Sequence, residues 1–260
     1  MTELKAIIFD VDGTLANTEE AHRVAFNYAF EQAGLSWSWD VELYTKLLKV
    51  TGGKERINYY VSEFLAERIE QDIVASLHAA KNAQYQAIIQ RKELPLRSGI
   101  LSLIEECKKT NMKIAIATTT SPGNVRNLVT ATMGDDALSW FEIIADAEVA
   151  PVKKPAPDVY EFVLDKMGLK AEECIAIEDS YNGVAAATKI NIPTLITVNN
   201  YTAHDDFAGA MIVVNELGDD STSCEVVTID DSLDEKSVGN KITLETLKQL
   251  HSNFTKRSAK

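Results

Sequence analysis

Short runs of apolar residues alternate with amphipathic helical patterns along most of the chain. The runs are rich in β-branched residues and almost continuously apolar, which is typical of strands buried on both faces of a parallel sheet. Their alternation with helical segments predicts an α/β fold with a mostly parallel sheet. The predicted strands are Lys5–Asp10, Lys113–Thr118, Ile143–Asp146, Cys174–Glu178, Thr194–Val198 and Met211–Val214.

The segments that follow or connect these strands carry helical signals. Ser180 stands where a helix N-cap is expected, and Gly168 follows a helical pattern, as glycine does at helix ends. Residues 215–236 carry eight acidic residues and one lysine, which predicts a solvated surface connection. The predicted helices lie near 99–110, 123–133, 157–167 and 181–189, with a last amphipathic helix around Leu244–Phe254.

One long interval, residues 17–94, contains no convincing strand. Its helical patterns lie at Glu19–Gln32 and Asp72–Arg91. The interval begins after the first strand and ends before the helix that leads to the second, so we predict a helical domain at 17–94 inserted into a core of residues 1–16 and 95–260. The spacings that approximate helical faces are those of Val24, Phe26, Ala29 and Phe30, and of Ile73, Leu77, Tyr85, Ile88 and Ile89.

Composition narrows the classes of function. The 260 residues include 26 Lys and Arg against 39 Asp and Glu, a formal net charge of −13. Broad binding to nucleic acid or to an anionic membrane needs a basic surface, so we expect neither partner. No apolar run reaches the roughly 18 residues that a membrane span requires. The three cysteines lie far apart without a CxxC pair, which argues against a disulfide scaffold or a structural zinc site.

Two carboxylates follow the first strand, in the segment Asp10-Val11-Asp12-Gly13-Thr14. Ligands bind at the carboxyl ends of strands in open α/β sheets. Residues two apart in an extended segment face the same way, so Asp10 and Asp12 can share a cation. One interpretation is a magnesium-binding pair with a nucleophilic carboxylate. The other is a helix cap and turn, because Asp-Gly is a common turn signal.

Polar residues also follow the later strands. Thr118 and Thr119 stand at a strand-to-helix junction, where hydroxyls and N–H groups hold phosphate oxygens or merely cap the helix. Lys154 precedes Pro155 and is either a phosphate-neutralising group or an exposed loop lysine. Glu178 and Asp179 end the fourth strand and are hard oxygen ligands of the kind that suit magnesium.

These residues together resemble the four motifs of the haloacid dehalogenase-like phosphohydrolases. Order, spacing and strand context all agree over roughly residues 5–215, and the segments 154–158 and 177–183 are similar to the phosphatase and phosphomutase branches. The resemblance implies a Rossmann-like parallel sheet core with an inserted helical cap domain. It also implies a Mg²⁺ cofactor and a small-molecule phosphate substrate.

The resemblance implies a role for each matching residue. Asp10 would attack phosphorus and form an aspartyl-phosphate, and Asp12 would protonate the leaving oxygen and later activate water. Thr118 and Lys154 would hold the transferring phosphoryl group. Asp12 must be neutral when it donates its proton, so either its surroundings raise its pKa or the substrate delivers the proton. The implied metal-site residues are Asp10, Asp12, Glu178 and Asp179. Asp179 would bind Mg²⁺ directly, Glu178 would bind it through water or orient a ligand, and Asp12 would contribute its backbone carbonyl.

Substrate choice is expected to lie in the cap, because the four motifs handle only phosphate. Residues 46–56 carry four basic residues and one acid. Within them we expect Lys54 and Arg56 to bind an anion, whereas the other two lysines are interpreted as a solvated face. Glu19 and His22 enter the first cap helix beside the catalytic loop and are further candidates for substrate binding, although a histidine there is more often a packing residue.

The segments 51–56 and 201–210 resemble the CbbY-like branch of the family. That branch includes phosphatases of pentulose bisphosphates, notably xylulose-1,5-bisphosphate. The Gly-rich cap loop also resembles that of β-phosphoglucomutase, so a sugar phosphomutase stays open. A non-catalytic regulatory protein on the same fold is a third possibility, disfavoured because every motif residue is present. We expect a monomer. Residues 1–5 show neither a secretory nor a transit signal, which indicates the cytoplasm, whereas in a photosynthetic eukaryote a processed transit peptide would be consistent with the chloroplast stroma.

Overall fold

The computed structural model describes residues 2–150 and 152–258. Within them the strands form one seven-stranded sheet of order β3-β2-β1-β4-β5-β6-β7. All six predicted strands are confirmed, each within about two residues at either end. The strands are β1 Ala6–Phe9, β2 Lys113–Ala117, β3 Ile143–Ala145, β4 Cys174–Glu178, β5 Thr194–Thr197, β6 Ile212–Val214 and β7 Val226–Ile229.

Strand β1 lies inside the sheet and pairs in parallel with β2 on one side and β4 on the other. Phe9 lies opposite both Ile116 and Ile177, so three strands end at the same level. Polar residues follow each of them in the sequence, so the sheet brings these side chains to one edge. This alignment is what places the functional site.

The helices cover both faces of the sheet. One face of β1, through Ile7 and Phe9, contributes to a large apolar cluster under α5 (Ile100–Thr110) and α6 (Pro122–Met133). The other face, through Ala6 and Ile8, packs under α7 (Asp158–Met167) and α8 (Tyr181–Thr188). The helices are α1 Glu19–Gln32, α2 Val41–Leu47, α3 Gly53–Glu63, α4 Gln71–Gln90, α5 Ile100–Thr110, α6 Pro122–Met133, α7 Asp158–Met167, α8 Tyr181–Thr188 and α9 Leu244–Ser258.

Helices α1 to α4 all lie between β1 and β2 in the chain and form the cap. They have an apolar cluster of their own, in which Phe26, Phe30 and Trp39 pack ring against ring. A core separate from that of the sheet fits the predicted inserted helical cap. The exact boundaries of 17–94 remain a prediction.

The prediction of a surface connection at 215–236 was wrong in part. Val226–Ile229 forms β7, which pairs antiparallel with β6. Acidic residues flank this strand, and Val227 is more than half exposed, so β7 is an edge strand with one face in solvent. The surrounding acidic residues led the sequence analysis to miss four residues of high β propensity. These residues pair with β6 and cover its otherwise open edge.

Two expectations from composition can be compared with the structure. No helix among the described residues is long and apolar enough to cross a membrane. Cys107, Cys174 and Cys224 are free and buried, and burial raises the pKa of each thiol.

Candidate active site

The floor of the site is an acidic cluster at the carboxyl ends of β1 and β4. The backbone N–H of Asp10 donates to the carbonyl of Ile177 (3.0 Å), which continues the sheet pairing by one residue. This extra step places Asp10 beside Glu178 and Asp179. One carboxylate oxygen from each of the three lies within 4.8 Å of the others, and all three side chains are buried.

Lys154 is the cation of this cluster. Its ammonium donates to Asp10 Oδ1 (2.7 Å), Glu178 Oε1 (2.6 Å) and the carbonyl of Ala117 (2.8 Å). Burial disfavours its charge, but Asp10 and Glu178 outweigh burial and raise the pKa of Lys154. The interpretation of Lys154 as an exposed loop lysine is therefore excluded, because its side chain is only 4% exposed.

The cluster is suited to a divalent cation. Three buried carboxylates face one lysine, which leaves two negative charges without compensation if all are ionised. Burial is the main cause that raises the pKa of Asp10, to about 8, and that of Asp179 well above its usual value. Burial thus disfavours the ionised form of these carboxylates, which a bound cation would stabilise, and their hard oxygen donors match the preference of Mg²⁺.

Neighbouring groups orient the carboxylates of Glu178, the last residue of β4, and of Asp179, which follows it. Tyr160 donates its hydroxyl to Glu178 Oε1, and Asn199 donates its amide to Asp179 Oδ2 (2.7 Å). Gly183 permits the close approach of α8, since a Cβ at this position would lie 1.9 Å from Glu178 Oε2. Ser180 caps the same helix by accepting from the N–H of Gly183, as predicted.

The carboxylate of Asp12 contacts groups other than the three clustered carboxylates. Its Oδ1 accepts hydrogen bonds from the hydroxyl of Thr18 (2.7 Å) and from His22 Nε2 (3.0 Å), with the hydroxyl of Tyr85 at 3.3 Å. The side chain is therefore not one of the three clustered carboxylates, and the predicted metal contact through the Asp12 carbonyl remains a prediction. Burial opposes ionisation of Asp12, but His22, Thr18 and Lys81 outweigh it and lower the pKa of Asp12.

A buried lysine of the cap completes this arrangement. Lys81 Nζ lies 2.8 Å from His22 Nδ1. Because an ammonium can only donate, Nδ1 accepts and the proton of neutral His22 is on Nε2, facing Asp12. Burial lowers the pKa of His22, and also that of Lys81, to about 8. Lys81, His22 and Asp12 thus form a chain of hydrogen bonds from the cap to the core.

The two threonines after β2 border the cavity above the cluster. Thr118 is buried, and its hydroxyl accepts from the N–H of Thr120 (3.3 Å). Thr119 is half-buried on the cavity wall. Both stand just before α6, so N–H groups at the start of that helix and the two hydroxyls border one space.

The cavity has a volume of about 950 Å³ and is bounded by the core below and the cap above. All predicted substrate-binding residues border it: Glu19, His22, Lys54, Arg56 and Thr119. Lys54 is exposed at the start of α3. Asp10, Asp12, Thr118, Lys154, Glu178 and Asp179 border it too. The fold thus brings every predicted site residue to one cavity, whereas their individual roles remain predictions.

Arg56 has structural contacts that the sequence did not reveal. Its guanidinium donates to the carbonyls of Leu47 (3.2 Å) and Val50 (3.3 Å) and to the hydroxyl of Tyr44 (3.0 Å). Tyr44 in turn donates to Glu19 Oε2 (2.9 Å). Arg56 therefore holds the cap loop together, in addition to any contact with an anion.

Sequence reasoning missed four groups that contact the predicted residues: Lys81, Tyr85, Tyr160 and Asn199. For Lys81 a signal was present. Leu77, Lys81 and Tyr85 are spaced by four, so a lysine stands in the middle of the apolar face of α4, where a surface lysine is not expected. Tyr160 and Asn199 reach the site only through the fold, and their local sequence gives no comparable signal.

Comparisons with known proteins agree with this geometry. A family model described as haloacid dehalogenase-like hydrolase matches residues 4–191. The chain is 47% identical over 220 residues to the plasmid-encoded protein CbbY of Cupriavidus necator, covering 83% of this chain and 87% of that protein.

Solved structures of similar proteins include a CbbY protein and a protein with the same fold. The chain is similar to a variant of CbbY from Rhodobacter sphaeroides in complex with xylulose-1,5-bisphosphate, with a TM-score of 0.76 and 40% identity, covering 82% of this chain and 94% of the other. β-Phosphoglucomutase from Clostridium difficile has a TM-score of 0.73 at 20% identity, covering 97% and 99% of the two chains, and is evidence for the fold alone.

Proposed function

The chain belongs to the haloacid dehalogenase-like hydrolase family, and on that premise we propose that it is a magnesium-dependent phosphatase acting on a pentulose bisphosphate. The family and the CbbY relatives support phosphatase activity in general. The observation that carries the proposal is the cluster of Asp10, Lys154, Glu178 and Asp179 under a cavity of about 950 Å³. A nucleophile, a lysine and a set of metal ligands are what phosphoryl transfer needs.

In the proposed reaction a carboxylate oxygen of Asp10 attacks phosphorus, and the bond from phosphorus to the sugar oxygen breaks. Lys154 neutralises charge on the phosphoryl group, and the hydroxyl and N–H groups near Thr118 bind its oxygens. Water then attacks the aspartyl-phosphate, its proton passes to Asp12, and inorganic phosphate leaves. Asp10, Glu178 and Asp179 are the residues that would hold Mg²⁺, whose positive charge offsets the charge of the phosphate.

The protonation state of Asp12 affects the first step of the proposed reaction, in which the sugar oxygen leaves. Its hydrogen bonds lower its pKa, so Asp12 is ionised in the ligand-free site at neutral pH. The proton that leaves on the sugar oxygen must then enter with the substrate or be taken up as the substrate binds. Of the two possibilities open from sequence, this geometry favours delivery with the substrate. For the second step an ionised Asp12 is already in the form that accepts a proton from water.

A bisphosphate substrate is supported by the charges of the cavity. Lys154 serves the reacting phosphate at the floor, and Lys54 stands on the cap side, exposed and without an ion-pair partner among the described residues. A second phosphate carries about −1.5 to −2 charge near neutral pH. The relative from Rhodobacter sphaeroides was solved with xylulose-1,5-bisphosphate, which makes pentulose bisphosphates the first class to test.

The test is a panel of sugar monophosphates and bisphosphates, with inorganic phosphate and sugar isomers both measured. We expect phosphate release, greatest for a pentulose bisphosphate, and loss of release when Mg²⁺ is removed by chelation. Calcium should not restore it, because Ca²⁺ accepts more and longer oxygen contacts than octahedral Mg²⁺ and can occupy both oxygens of Asp10. Isomer formation without phosphate release would instead indicate a mutase. No turnover on any phosphate ester would refute the proposal.

A further inference from the structure

Arg97 is a buried cation that touches neither the cavity nor the three clustered carboxylates. It lies three residues before α5, where the chain returns from the cap to the core. Its side chain is 2% exposed. Its backbone N–H donates to the carbonyl of Leu15 (2.9 Å), which ties the return segment to the end of the catalytic loop.

All five N–H groups of the guanidinium have acceptors. Nη1 donates to the carbonyls of Gly13 (2.5 Å) and Thr197 (2.8 Å), and Nη2 to those of Val198 (2.7 Å) and Asn215 (2.6 Å). Nε donates to Glu216 Oε2 (3.0 Å). An arginine with every donor used at short distances is fixed in position, because five acceptors from three segments define its place.

Two of these acceptors belong to peptide groups that position Asp179. The carbonyl of Val198 lies in the same peptide group as the N–H of Asn199, whose side chain donates to Asp179 Oδ2 (2.7 Å). On the opposite side, the Cα of Gly13 lies against the same carboxylate. A Cβ at Gly13 would approach Asp179 Oδ2 to 2.1 Å, and the φ of this residue is +87°, a conformation that favours glycine.

From this geometry we infer that Arg97 is a positioning residue for the proposed magnesium site. It joins the two backbone segments that enclose Asp179, one through Gly13 and one through Val198. Asn215 and Glu216 anchor it from the segment after β6. The inference rests on the proposed function, because it takes Asp179 to be a metal ligand.

The expected consequence is a change in metal affinity. Removing a group that orients a metal ligand typically lowers metal affinity or activity by about 10- to 100-fold. Arg97→Lys keeps the positive charge but replaces the planar guanidinium, with its five N–H donors, by an ammonium with three. It can therefore satisfy at most three of the acceptors. We expect the dissociation constant of Mg²⁺ to rise by about 10- to 100-fold in Arg97→Lys. At saturating Mg²⁺ the KM for the sugar phosphate should be unchanged.

The experiment titrates MgCl₂ into metal-stripped, substrate-free protein by calorimetry, and measures the melting temperature of each variant. His251→Gln is the matched control, since His251 is buried and donates to the carbonyl of Glu172 (2.9 Å), outside the cavity. It should lower the melting temperature and leave Mg²⁺ affinity unchanged. A purely structural role for Arg97 would do the same.

The outcomes separate the two proposals. If the wild-type protein binds no Mg²⁺, both fail. If it binds Mg²⁺ and folded Arg97→Lys binds equally well, only the inference about Arg97 is wrong. If Arg97→Lys does not fold, Glu216→Ala decides, because it removes one anchor and leaves the guanidinium in place. A several-fold weaker affinity for Mg²⁺ in Glu216→Ala supports the inference, and an unchanged affinity overturns it.

Discussion

At the scale of single residues, the site is defined by charges that the fold buries. Burial raises the pKa of Asp10 and Asp179, whereas the nearby His22, Thr18 and Lys81 outweigh burial and lower that of Asp12. Two carboxylates only two positions apart in the sequence therefore have opposite environments. Opposite environments are consistent with the different roles proposed for the two residues, nucleophile for Asp10 and proton carrier for Asp12.

The nucleophile can be tested directly. We expect Asp10→Asn to lose turnover by several orders of magnitude, about the effect of removing a covalent catalyst, because an amide is a poor nucleophile and brings no charge to the metal. Phosphate release by the purified variant measures this, with circular dichroism as the check on folding. Asp72→Asn, exposed on α4, is the matched control and should keep wild-type activity. Near-normal turnover in folded Asp10→Asn would exclude Asp10 as the nucleophile.

Lys81 should give the enzyme an alkaline limit. Burial lowers its pKa from 10.5 to about 8, so its charge is lost as the pH rises through 8. We expect kcat/KM at saturating Mg²⁺ to fall above pH 8, because His22 and Asp12 then lose the cation that holds them. The fall cannot come from unfolding through Lys81: a lysine with a lowered folded pKa destabilises the fold while charged, so its contribution to stability improves between about pH 8 and 10.5.

The control for this profile is a second lysine. In Lys81→Gln the fall in kcat/KM above pH 8 should disappear, and kcat/KM at pH 7 should be lower than in the wild type. Lys109→Gln, exposed at the end of α5, should keep both the fall above pH 8 and the wild-type kcat/KM at pH 7. A wild-type profile that stays flat to pH 9.5 would contradict the assignment, as would a fall above pH 8 that persists in Lys81→Gln.

At the scale of elements, periodicity was a good guide to where helices lie and a poorer guide to which residues they bury. The bounds of Glu19–Gln32 were predicted correctly. Val24 and Ile73, which were placed on the apolar faces, are 41% and 47% exposed. The true face of α1 includes His22, and that of α4 includes Lys81. Polar residues that face a site interrupt the apolar pattern, so the pattern fails near function.

The candidate site shows the same limit. Its core residues were predictable because each directly follows a strand, and parallel strands end at one edge. Tyr160 and Asn199 were not, since they lie on α7 and after β5 and reach Glu178 and Asp179 only across the fold. Strand β7 was missed because the acidic residues around it outweighed four residues of β-forming sequence.

The two predicted anion-binding residues of the cap should now behave differently. Lys54→Ala is expected to lower kcat/KM for a bisphosphate by about 10- to 100-fold, or roughly 1.4–2.7 kcal/mol, and to leave a small aryl phosphate almost unaffected. Arg56→Ala should impair both substrates and lower the melting temperature, because buried Arg56 bonds Tyr44 and two cap carbonyls. Steady-state kinetics with both substrates on both variants measure this difference. Equal losses on the two substrates in Lys54→Ala would refute a distal-phosphate role.

At the scale of the whole molecule, the segment after β6 connects stability to the site. It supplies the edge strand β7, the anchors Asn215 and Glu216, and helix α9, whose Leu247 and Leu250 are buried in the main apolar cluster. Helix α9 also packs against α5, and the N–H of Leu244 donates to Glu106 Oε2 (2.8 Å). The segment therefore contributes both to the main apolar cluster and to the anchoring of Arg97.

Because α9 packs in the core and does not border the cavity, a substitution of a buried residue in α9 should lower stability without changing catalysis. Leu247 is fully buried, so Leu247→Ala should lower the free energy of unfolding by about 2–5 kcal/mol through lost burial and the cavity left behind. Because α9 lies outside the cavity, kcat and KM at 20 °C should stay within about twofold of wild type, a difference of less than about 0.5 kcal/mol. Urea unfolding followed by circular dichroism measures the first quantity, and phosphate release the second. Gln249→Ala, exposed on the same helix, should change stability by less than about 0.5 kcal/mol. A Leu247→Ala protein as stable as wild type would mean that α9 does not belong to the cooperative core, and one that is folded but inactive would mean that it acts on the site.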